Sequence, residues 1–252
     1  IVDAFSKGLE LSQKYAGVGL ARKIGMDLGL SHLATQDSLI FCTDADSLVS
    51  NHYINKVKEY FDTNNASTAV VGFRHLESAD SNLEKAIRQY EKYLLTTAQN
   101  MRDARSPYGY VAMGSTMVCT TEAYCAVGGM PRKKATEDFY FLQELTKYCG
   151  VETIPETLVF PSSRPISRVY LGTGFRMQQM QKGFDVQKLY YSNIAFSILE
   201  QWLKLGSTAR KVELSIILQE AKNIDPKLEV FLQNEGIDNV WGKLQNNTPS
   251  KL

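Results

Sequence analysis

The sequence predicts an α/β fold with a mostly parallel central sheet flanked by helices, followed by a helical C-terminal extension. Two observations lead to this prediction. Short apolar runs alternate with helical patterns over residues 10–160, which is typical of strands and helices arranged around a parallel sheet. Beyond about residue 185 the pattern is helical. We therefore expect residues 1–184 to form one domain and residues 185–252 to form a helical C-terminal region.

The first predicted helix and strand follow from the spacing of apolar residues near the start of the chain. Leu20, Ile24 and Leu28 recur every four residues, which indicates one buried face of a helix within residues 7–30. Residues 38–43 have the sequence SLIFCT, an apolar run without alternation. Such a run is typical of a strand that is buried on both faces, as in a parallel sheet.

The next helix is predicted to begin shortly after this strand and to pack against the sheet. Ser50 or Asn51 suits its N-cap, and Ile54, Val57 and Phe61 would lie on its buried side. The remaining elements are predicted from the same kinds of pattern. They are strands over 67–73, 111–119 and 151–160, and helices over 82–100, 120–127, 139–149, 207–220 and 227–245.

The composition argues against several classes of protein. The 252 residues include 28 basic and 27 acidic side chains, and a net charge of +1 offers no basic surface for nucleic acid or an anionic membrane. No stretch reaches the roughly 18 apolar residues of a membrane span. Cys42 and Cys119 lie in apolar runs and no CxxC pair occurs, so we expect buried free thiols in a reducing, cytoplasmic compartment.

Two aspartates follow the first predicted strand directly. Asp44 and Asp46 are separated only by Ala45, and ligands of open α/β sheets bind at the carboxyl ends of strands. Two carboxylates this close repel each other unless a cation lies between them. Mg²⁺ and Mn²⁺ take oxygen ligands and usually retain positions for phosphate. The pair therefore suits a metal that also binds a diphosphate, while a simple role in shaping the turn stays open.

A third acidic position stands out further along the chain. Asp138 follows Glu137 at the start of a predicted helix, where the helix dipole by itself favours an acidic side chain. If it shares a cleft with the aspartate pair, Asp138 could take a proton from an acceptor hydroxyl. The spacings of zinc proteases, phosphate-binding loops and serine hydrolases are absent from the sequence. The three histidines, His32, His52 and His75, are predicted to have structural or surface roles.

Four segments in one order resemble a known enzyme family. They are GVGLARKIGMDLG, SLIFCTDADS, AVGGMP and TEDFYFLQEL, and together they span roughly residues 14–160. In this order they resemble the family 2 glycosyltransferases. The resemblance implies a GT-A-like fold and transfer of a sugar with inversion. The opening strand of that family has no match in this chain, so the domain over residues 1–184 is expected to be N-terminally incomplete.

The resemblance implies a role for individual residues. Asp44 and Asp46 match the motif that binds Mn²⁺ or Mg²⁺ and, through the metal, the diphosphate of the sugar donor. Asp138 matches the catalytic base. Arg22 lies where the family commonly has Arg-Asn-x-Gly, a region near the nucleotide, although Lys23 replaces the asparagine here.

A basic segment follows the predicted base. Arg164, Arg168 and Arg176 cluster around the glycines of residues 172–174. Such a segment could close over the diphosphate, with Arg168 and Arg176 as its nucleotide contacts; an ordinary solvated loop is the alternative. Polymer-forming members of the family carry a Gln-x-x-Arg-Trp motif, and no Arg-Trp pair follows here. We therefore expect transfer of a single sugar rather than polymer synthesis.

The implied donor is a nucleoside-diphosphate sugar, with a UDP-sugar as the first choice. The implied acceptor is a saccharide, lipid-linked or protein hydroxyl in glycan or cell-surface polysaccharide synthesis. The expected location is the cytoplasm, which leaves open a peripheral association with the inner face of the membrane. Two other functions stay open. One is a phosphatase of the haloacid dehalogenase type that uses Asp44 and Asp46, and the other is a non-catalytic carbohydrate-binding relative.

Overall fold

A computed structural model describes residues 2–12, 14, 16–33, 35–166 and 170–246. The strands are β1 (Leu39–Phe41), β2 (Leu48–Val49), β3 (Thr68–Phe73), β4 (Met117–Thr120) and β5 (Glu152–Phe160). The helices are α1 (Val18–Leu30), α2 (Tyr53–Asn64), α3 (Ser81–Asp103), α4 (Thr121–Ala126), α5 (Glu137–Cys149), α6 (Thr173–Gln181), α7 (Asn193–Thr208), α8 (Leu214–Ile224), α9 (Pro226–Asn234) and α10 (Ile237–Asn246).

The five strands form one mixed sheet in the order β1-β4-β3-β5-β2. Only β3 and β5 pair in parallel, while the β1–β4, β3–β4 and β2–β5 pairs are antiparallel. The prediction of a mostly parallel sheet is therefore wrong. Alternation of strands and helices does not fix strand direction, because a helix with a long connection can return the chain to either end of a sheet. The short strand β2 was not predicted.

Side chains of the sheet alternate between two apolar clusters. Ile40 of β1 packs in a cluster with residues of α1, α4 and α5, while its neighbour Phe41 packs with α2 on the other cluster. In β4, Cys119 and Val118 divide in the same way. Successive side chains of a strand point to opposite faces, so helices cover both faces of the sheet. This arrangement accounts for the apolar run without alternation in β1.

The buried face of α2 differs by one residue from the prediction. Tyr53, Val57 and Phe61 are buried, whereas Ile54 is 60% exposed. Residues four apart share a helix face, and residue 54 lies about 100° around the helix from Tyr53. The prediction of Ser50 or Asn51 as the N-cap is also wrong. The N-cap residue is His52, and its side chain makes no capping hydrogen bond.

A third apolar cluster joins α3 to α6. Ile87 and Tyr90 of α3 are buried against Met177 of α6, with Val186 completing the buried set. Burying large apolar side chains is the main stabilising contribution available to such a contact, at about 1.5–3 kcal/mol for each. The middle of α6 therefore packs against the long helix α3.

The chain divides into two compact units. The first comprises residues 1–96 and 110–189, and the second comprises residues 97–109 and 190–252. The division expected from the sequence, at residue 184, assigns residues 97–109 to the first segment instead. Among the residues that the structure describes, no helix is long and apolar enough to cross a membrane.

The second unit is helical, as predicted for the C-terminal region. Ala221, Leu232 and Ile237 form its core, and the indole N–H of Trp241 donates to the Val212 carbonyl at 3.1 Å. The single helix predicted over residues 227–245 is interrupted at Gly236, whose φ of 75° is left-handed. Glycine adopts this conformation without steric cost, so α9 ends there and α10 begins.

Candidate active site

One end of the sheet gathers the polar residues singled out above. Strands β1, β3 and β5 run in the same direction, and β4 runs against them. The carboxyl ends of β1, β3 and β5 and the amino end of β4 therefore lie at the same end of the sheet. Asp44 and Asp46 follow β1 there, Gly114 precedes β4, and Arg164 follows β5. β1 and β4 are adjacent strands roughly 4.8 Å apart, so the segment after β1 and the segment before β4 are neighbours, whereas β5 lies further across the sheet.

The aspartate pair lies on the short connection between β1 and β2. The Ser47 N–H donates to the Asp44 carbonyl at 3.0 Å, which closes a turn around the pair. β2 then pairs with the end of β5, with Leu48 opposite Phe160. Because β1 and β2 are the two outer strands of the sheet, this connection runs across the end of the sheet. Both carboxylates are partly exposed, with side-chain accessibilities of 43% and 34%.

Arg22 of α1 contacts three separate segments at this end of the sheet: the turn after β1, the loop before β4 and the start of α5. Its side chain is only 12% exposed, and its guanidinium is bonded to the Asp44 carboxylate. The same guanidinium donates to the Gly114 carbonyl at 3.1 Å and lies 3.6 Å from the Glu137 carboxylate. Hydrogen bonds between charged groups are stronger than neutral ones, so this buried cation holds the segments together. A direct contact between Arg22 and a nucleotide stays a prediction.

Two glycines permit this close packing. A Cβ atom at Gly114 would lie 2.4 Å from the Arg22 guanidinium nitrogens. A Cβ atom at Gly19 would lie 2.4 Å from the Lys133 carbonyl oxygen and 2.9 Å from the Glu137 Cβ. At Gly19 the opposing atoms include backbone oxygens, so this position needs a residue without a side chain. At Gly114 the opposing atoms are the end of the Arg22 side chain, so a larger residue there would displace the guanidinium.

Asp138 lies in the electrostatic field of the same group of residues. Burial raises the pKa of its carboxyl, and the charge of Asp44 raises it further. The Phe139 N–H, which donates to Asp138 at 2.8 Å, the Arg22 cation and the Gly114 N–H all act in the opposite direction. The balance leaves the pKa raised. Asp138, Asp44 and Arg22 therefore belong to one neighbourhood, close enough for their charges to interact.

Glu137 is a buried acid that the sequence did not single out as functional. Burial raises the pKa of its carboxyl, and the neighbouring charge of Asp138 adds to this effect, while Arg22 opposes it. Its side chain is 5% exposed and its ion-pair partner is Arg22. A buried carboxyl next to a buried cation and a second carboxyl is a common sign of a functional site.

The basic residues predicted to contact the nucleotide have different surroundings. Arg176 of α6 donates to Gln179 at 2.7 Å. Burial raises the pKa of Tyr90 to about 12, and the charges of Arg176 and Asp138 both act on this phenol. Arg168 lies outside the residues that the structure describes. Its neighbour in the basic segment, Arg164, donates to the Asp46 carboxylate at 2.8 Å.

The oxygen atoms around the aspartate pair suit a hard divalent cation. Each carboxylate gives one oxygen to an arginine, Asp44 to Arg22 and Asp46 to Arg164. No other hydrogen bond from a residue in the described ranges reaches either carboxylate, so one oxygen of each remains for a ligand. The buried hydroxyl of Ser47 also has no hydrogen-bond partner. Mg²⁺ is commonly bound by one or two carboxylates together with phosphates and water, so two aspartates are a sufficient protein contribution.

The described part of the chain contains no group of three His, Cys, Asp or Glu side chains that could hold a metal by itself. Two cavities have residues of α1 in their walls. One of about 330 Å³ lies between α1 and β1 and includes Arg22 and Thr43 in its wall. A larger one of about 520 Å³ is lined by Lys23, Gly129 and Tyr140 among others, and its wall includes neither Asp44 nor Asp138.

Comparisons with known proteins give a low structural similarity. No family model matches the sequence, and no curated protein matches it. The structure is similar to S. aureus TarS 1-349 in complex with UDP-GlcNAc, with a TM-score of 0.45 and 11% identity, over 87% of this chain and 63% of that chain. For TarS 1-349 in complex with UDP, the TM-score is 0.42 and the identity is 11%, over 90% of this chain and 74% of that chain. For S. aureus TarS, the TM-score is 0.45 and the identity is 11%, over 91% of this chain and 43% of that chain.

The chain thus spans less than two thirds of the length of the TarS 1-349 structure with UDP-GlcNAc. TM-scores below 0.5 at 11% identity assign neither a family nor an activity. The functional interpretation therefore depends on the residues at the end of the sheet.

Proposed function

We propose that this chain is the catalytic part of a metal-dependent glycosyltransferase that uses a nucleoside-diphosphate sugar. In this proposal Asp44 and Asp46 hold Mn²⁺ or Mg²⁺, and Asp138 is the general base that activates the acceptor hydroxyl. The donor is a UDP-sugar in the first instance, and the product is formed with inversion. The acceptor is a saccharide, lipid-linked or protein hydroxyl, and one sugar is added at a time.

A single observation carries the proposal. The charges of Asp44 and Arg22 both act on Asp138, and the Arg22 guanidinium is bonded to Asp44 at this end of the sheet. The aspartate pair and Asp138, which are more than 90 positions apart in the sequence, thus lie near the same buried cation. This combination of a paired-carboxylate metal site and a separate carboxyl with a raised pKa suits a displacement that needs charge stabilisation and proton removal.

The chemistry assigned to the chain is one in-line displacement. The acceptor oxygen forms a bond to the anomeric carbon, and the bond from that carbon to the diphosphate oxygen breaks. The electron pair leaves with the diphosphate, and the acceptor proton passes to the Asp138 carboxylate. A divalent cation at Asp44 and Asp46 would offset the charge that develops on the leaving diphosphate. Arg164, which is bonded to Asp46, adds a positive charge at the same place.

The surroundings of Asp138 suit its proposed role. A general base works best when its pKa approaches the working pH, because a more basic carboxylate takes the proton more readily. Burial moves the pKa of Asp138 in that direction. The Phe139 N–H donates to one carboxylate oxygen at 2.8 Å and helps to orient the carboxylate.

The decisive experiment is a thermal-shift panel. The protein is mixed with UDP, UDP-glucose or UDP-GlcNAc, each with and without Mn²⁺. A ligand that binds the native state raises its stability by RT ln(1 + [L]/Kd), which is about 2.7 kcal/mol at a concentration of 100 Kd. We expect Tm to rise only when nucleotide and metal are both present. An unchanged Tm with every donor at millimolar concentration contradicts the proposal.

The two alternative functions give different results in the same series. A phosphatase would form a covalent mimic at Asp44 with beryllium fluoride and would not need a nucleotide. A non-catalytic relative would bind the donor without hydrolysing it, even over long incubations. Release of free sugar from the bound donor would separate the proposed enzyme from that relative.

A further inference from the structure

The larger of the two cavities does not include the acids of the proposed active site. It has a volume of about 520 Å³ and lies between α1, residues 127–132 and α5, and its wall contains none of Asp44, Asp46 and Asp138. Sites for small molecules usually have about 300–1,000 Å³, an apolar lining and a few polar groups. We propose that this cavity is a second ligand site, which binds a small organic anion: an anionic head group on an apolar ring or chain.

One part of the cavity wall is apolar and rigid. Met130 and Phe141 are each 1% exposed and belong to the apolar cluster that α1, α4 and α5 form on the sheet. Val127 packs against the same cluster, and Pro131 adds to the apolar lining. A ring or chain placed against this wall is removed from water, which favours binding in proportion to the apolar area that is buried.

Lys23 of α1 brings a nearly buried positive charge to the same wall. Its side chain is 17% exposed, and its ammonium lies 3.0 Å and 3.2 Å from the two carboxylate oxygens of Asp27. An ammonium has three N–H donors, so at least one remains for a ligand. A Cβ atom at Gly129 would lie 3.0 Å from the Lys23 nitrogen. The missing side chain at Gly129 therefore leaves space beside the ammonium, and both residues line the cavity.

Asp27 holds Lys23 in place from outside the cavity wall. The Tyr124 hydroxyl donates to the Asp27 carboxylate at 2.6 Å. Burial acts to raise the pKa of this carboxyl, but hydrogen bonds from Tyr124 and Lys23 and the charge of Arg132 outweigh it, and the pKa is lowered. Asp27 is therefore ionised, and it offsets one of the positive charges near the cavity.

Two further cations lie at or beside the wall. Arg132 is exposed and lines the cavity, and its charge acts on Asp27. The ammonium of Lys133 lies 3.8 Å from the centre of the Tyr140 ring, which is also part of the wall. An aromatic ring attracts a cation placed over its face, so this contact keeps the charge of Lys133 next to the cavity.

The balance of charge around the cavity is positive. Glu144 is the acidic residue in the wall, and Lys147 lies 2.7 Å from its carboxylate and offsets its charge. The three cations described above are opposed by Asp27. A concave surface with an excess of one sign of charge concentrates ions of the opposite sign, so the cavity favours an anion.

The segment that carries Arg132 is held against α1. A Cβ atom at Gly19 would lie 2.7 Å from the Pro131 carbonyl oxygen and 2.4 Å from the Lys133 carbonyl oxygen. A Cβ atom at Gly17 would lie 2.7 Å from the Cα of Lys134. Packing this close keeps the segment in one position, so the cavity is formed before a ligand enters. A preformed site loses less conformational freedom on binding.

Two-dimensional amide NMR of the full chain, without nucleotide or metal, tests the site with four probes. Phenyl phosphate and benzoate combine a ring with an anion, benzyl alcohol has the ring without the charge, and inorganic phosphate has the charge without the ring. We expect a Kd of about 1 mM or below for a probe that has both parts. The uncharged and the ringless probe should bind about tenfold more weakly. The signals of Gly128 and Gly129 should shift, and the tighter of the two anionic rings identifies the head group.

Charge-removing variants test the assigned contacts. Arg132→Gln should weaken binding of phenyl phosphate about threefold to fivefold, because an exposed charge is partly screened by water. Lys23→Gln should weaken it about tenfold, since this ammonium is nearly buried. Glu144→Gln should strengthen it about twofold. Lys58→Gln, at an exposed position of α2, is the matched control and should change nothing. Binding of benzyl alcohol should stay the same in Arg132→Gln, which distinguishes a lost charge from a distorted cavity.

Four outcomes overturn the inference. They are equal affinities for phenyl phosphate and benzyl alcohol, shifts that spare Gly128 and Gly129, an unchanged affinity in Arg132→Gln, and displacement of phenyl phosphate by UDP with Mn²⁺, which would show one shared site. The inference does not rest on the proposed function. A chain that binds phenyl phosphate as expected but binds no nucleotide would keep this site and lose the proposed function.

Discussion

The guanidinium of Arg22 is bonded to the carboxylate of Asp44, which lies 22 positions further along the chain. This contact ties α1 to the turn that carries the aspartate pair. It also leaves one oxygen of Asp44 for another ligand and brings a cation close to Asp138. The arrangement connects the site, because the turn that carries the aspartate pair and the proposed base interact with the same positive charge.

The proposed metal site can be tested at Asp46. Asp46→Asn removes one charge from the pair and weakens binding of a divalent cation. We expect the Mn²⁺-dependent affinity for UDP to fall about tenfold or more, which corresponds to the loss of one strong charged interaction. Calorimetric titration of UDP with and without Mn²⁺ measures this. Asp62→Asn, an exposed position on α2, is the control, and an unchanged affinity in Asp46→Asn would reject the metal assignment.

The proposed role of Asp138 as the general base predicts that its substitution lowers the rate of sugar transfer without weakening donor binding. Asp138→Asn keeps an oxygen that can accept from the Phe139 N–H, but it cannot take a proton. We expect donor affinity close to that of the original protein and a loss of transfer of about 10²-fold or more, the usual contribution of general-base catalysis. Single-turnover assays with bound donor give the transfer rate directly. Near-original turnover would remove Asp138 from the mechanism.

Part of the site was predictable from the sequence. Asp44 and Asp46 directly follow an apolar run, which places them at the carboxyl end of a strand, where ligands of α/β sheets bind. Asp138 lies in the first turn of a predicted helix. The mixed sheet keeps this relationship, because β1, β3 and β5 still run in one direction. The aspartate pair therefore lies at the expected end of the sheet, although the prediction of a mostly parallel sheet is wrong.

The remaining contacts could not be predicted because they depend on close approaches between distant segments. Arg22 lies 3.6 Å from Glu137, and Gly19 allows α1 to approach residues 131–137 this closely. A single glycine in a sequence gives no indication of its spatial neighbour. The same holds for His75, whose partners are 16 and 98 positions away.

The raised pKa of Asp138 predicts a dependence of stability on pH. Below the ordinary value of 3.8 the carboxyl is protonated in both the folded and the unfolded chain. Between 3.8 and the raised folded value, the folded chain binds more protons, so its stability falls as pH rises through this window. Asp138→Asn removes this titration.

We therefore expect Asp138→Asn to have a higher Tm than the original protein at pH 7, with the difference shrinking as pH falls towards 4. Melting curves from pH 3.5 to 7.5, recorded with EDTA to exclude metal, provide the measurement. A Tm difference that stays constant over this range would mean that burial does not disfavour the charged form of Asp138.

Two glycines of the same helix should respond to alanine in opposite ways. Gly25 and Gly19 both lie in α1, but a Cβ atom at Gly25 meets nothing within 4 Å, whereas at Gly19 it meets the backbone oxygens of Pro131 and Lys133. Alanine is favoured over glycine in helices by about 0.5–1 kcal/mol, so Gly25→Ala should stabilise the chain by that amount. Gly19→Ala should instead destabilise it by about 1–3 kcal/mol, because the loop before α5 must move.

This movement would reach Glu137 and Asp138 directly, since Glu137 Cβ is the next atom in contact. Urea unfolding gives both free-energy changes, and single-turnover transfer assays show whether the base has been displaced. We expect Gly19→Ala to lose transfer activity at temperatures where it remains folded, while Gly25→Ala keeps it. Equal stability of the two variants would contradict the close packing of α1 against residues 131–137, on which the geometry of the site depends.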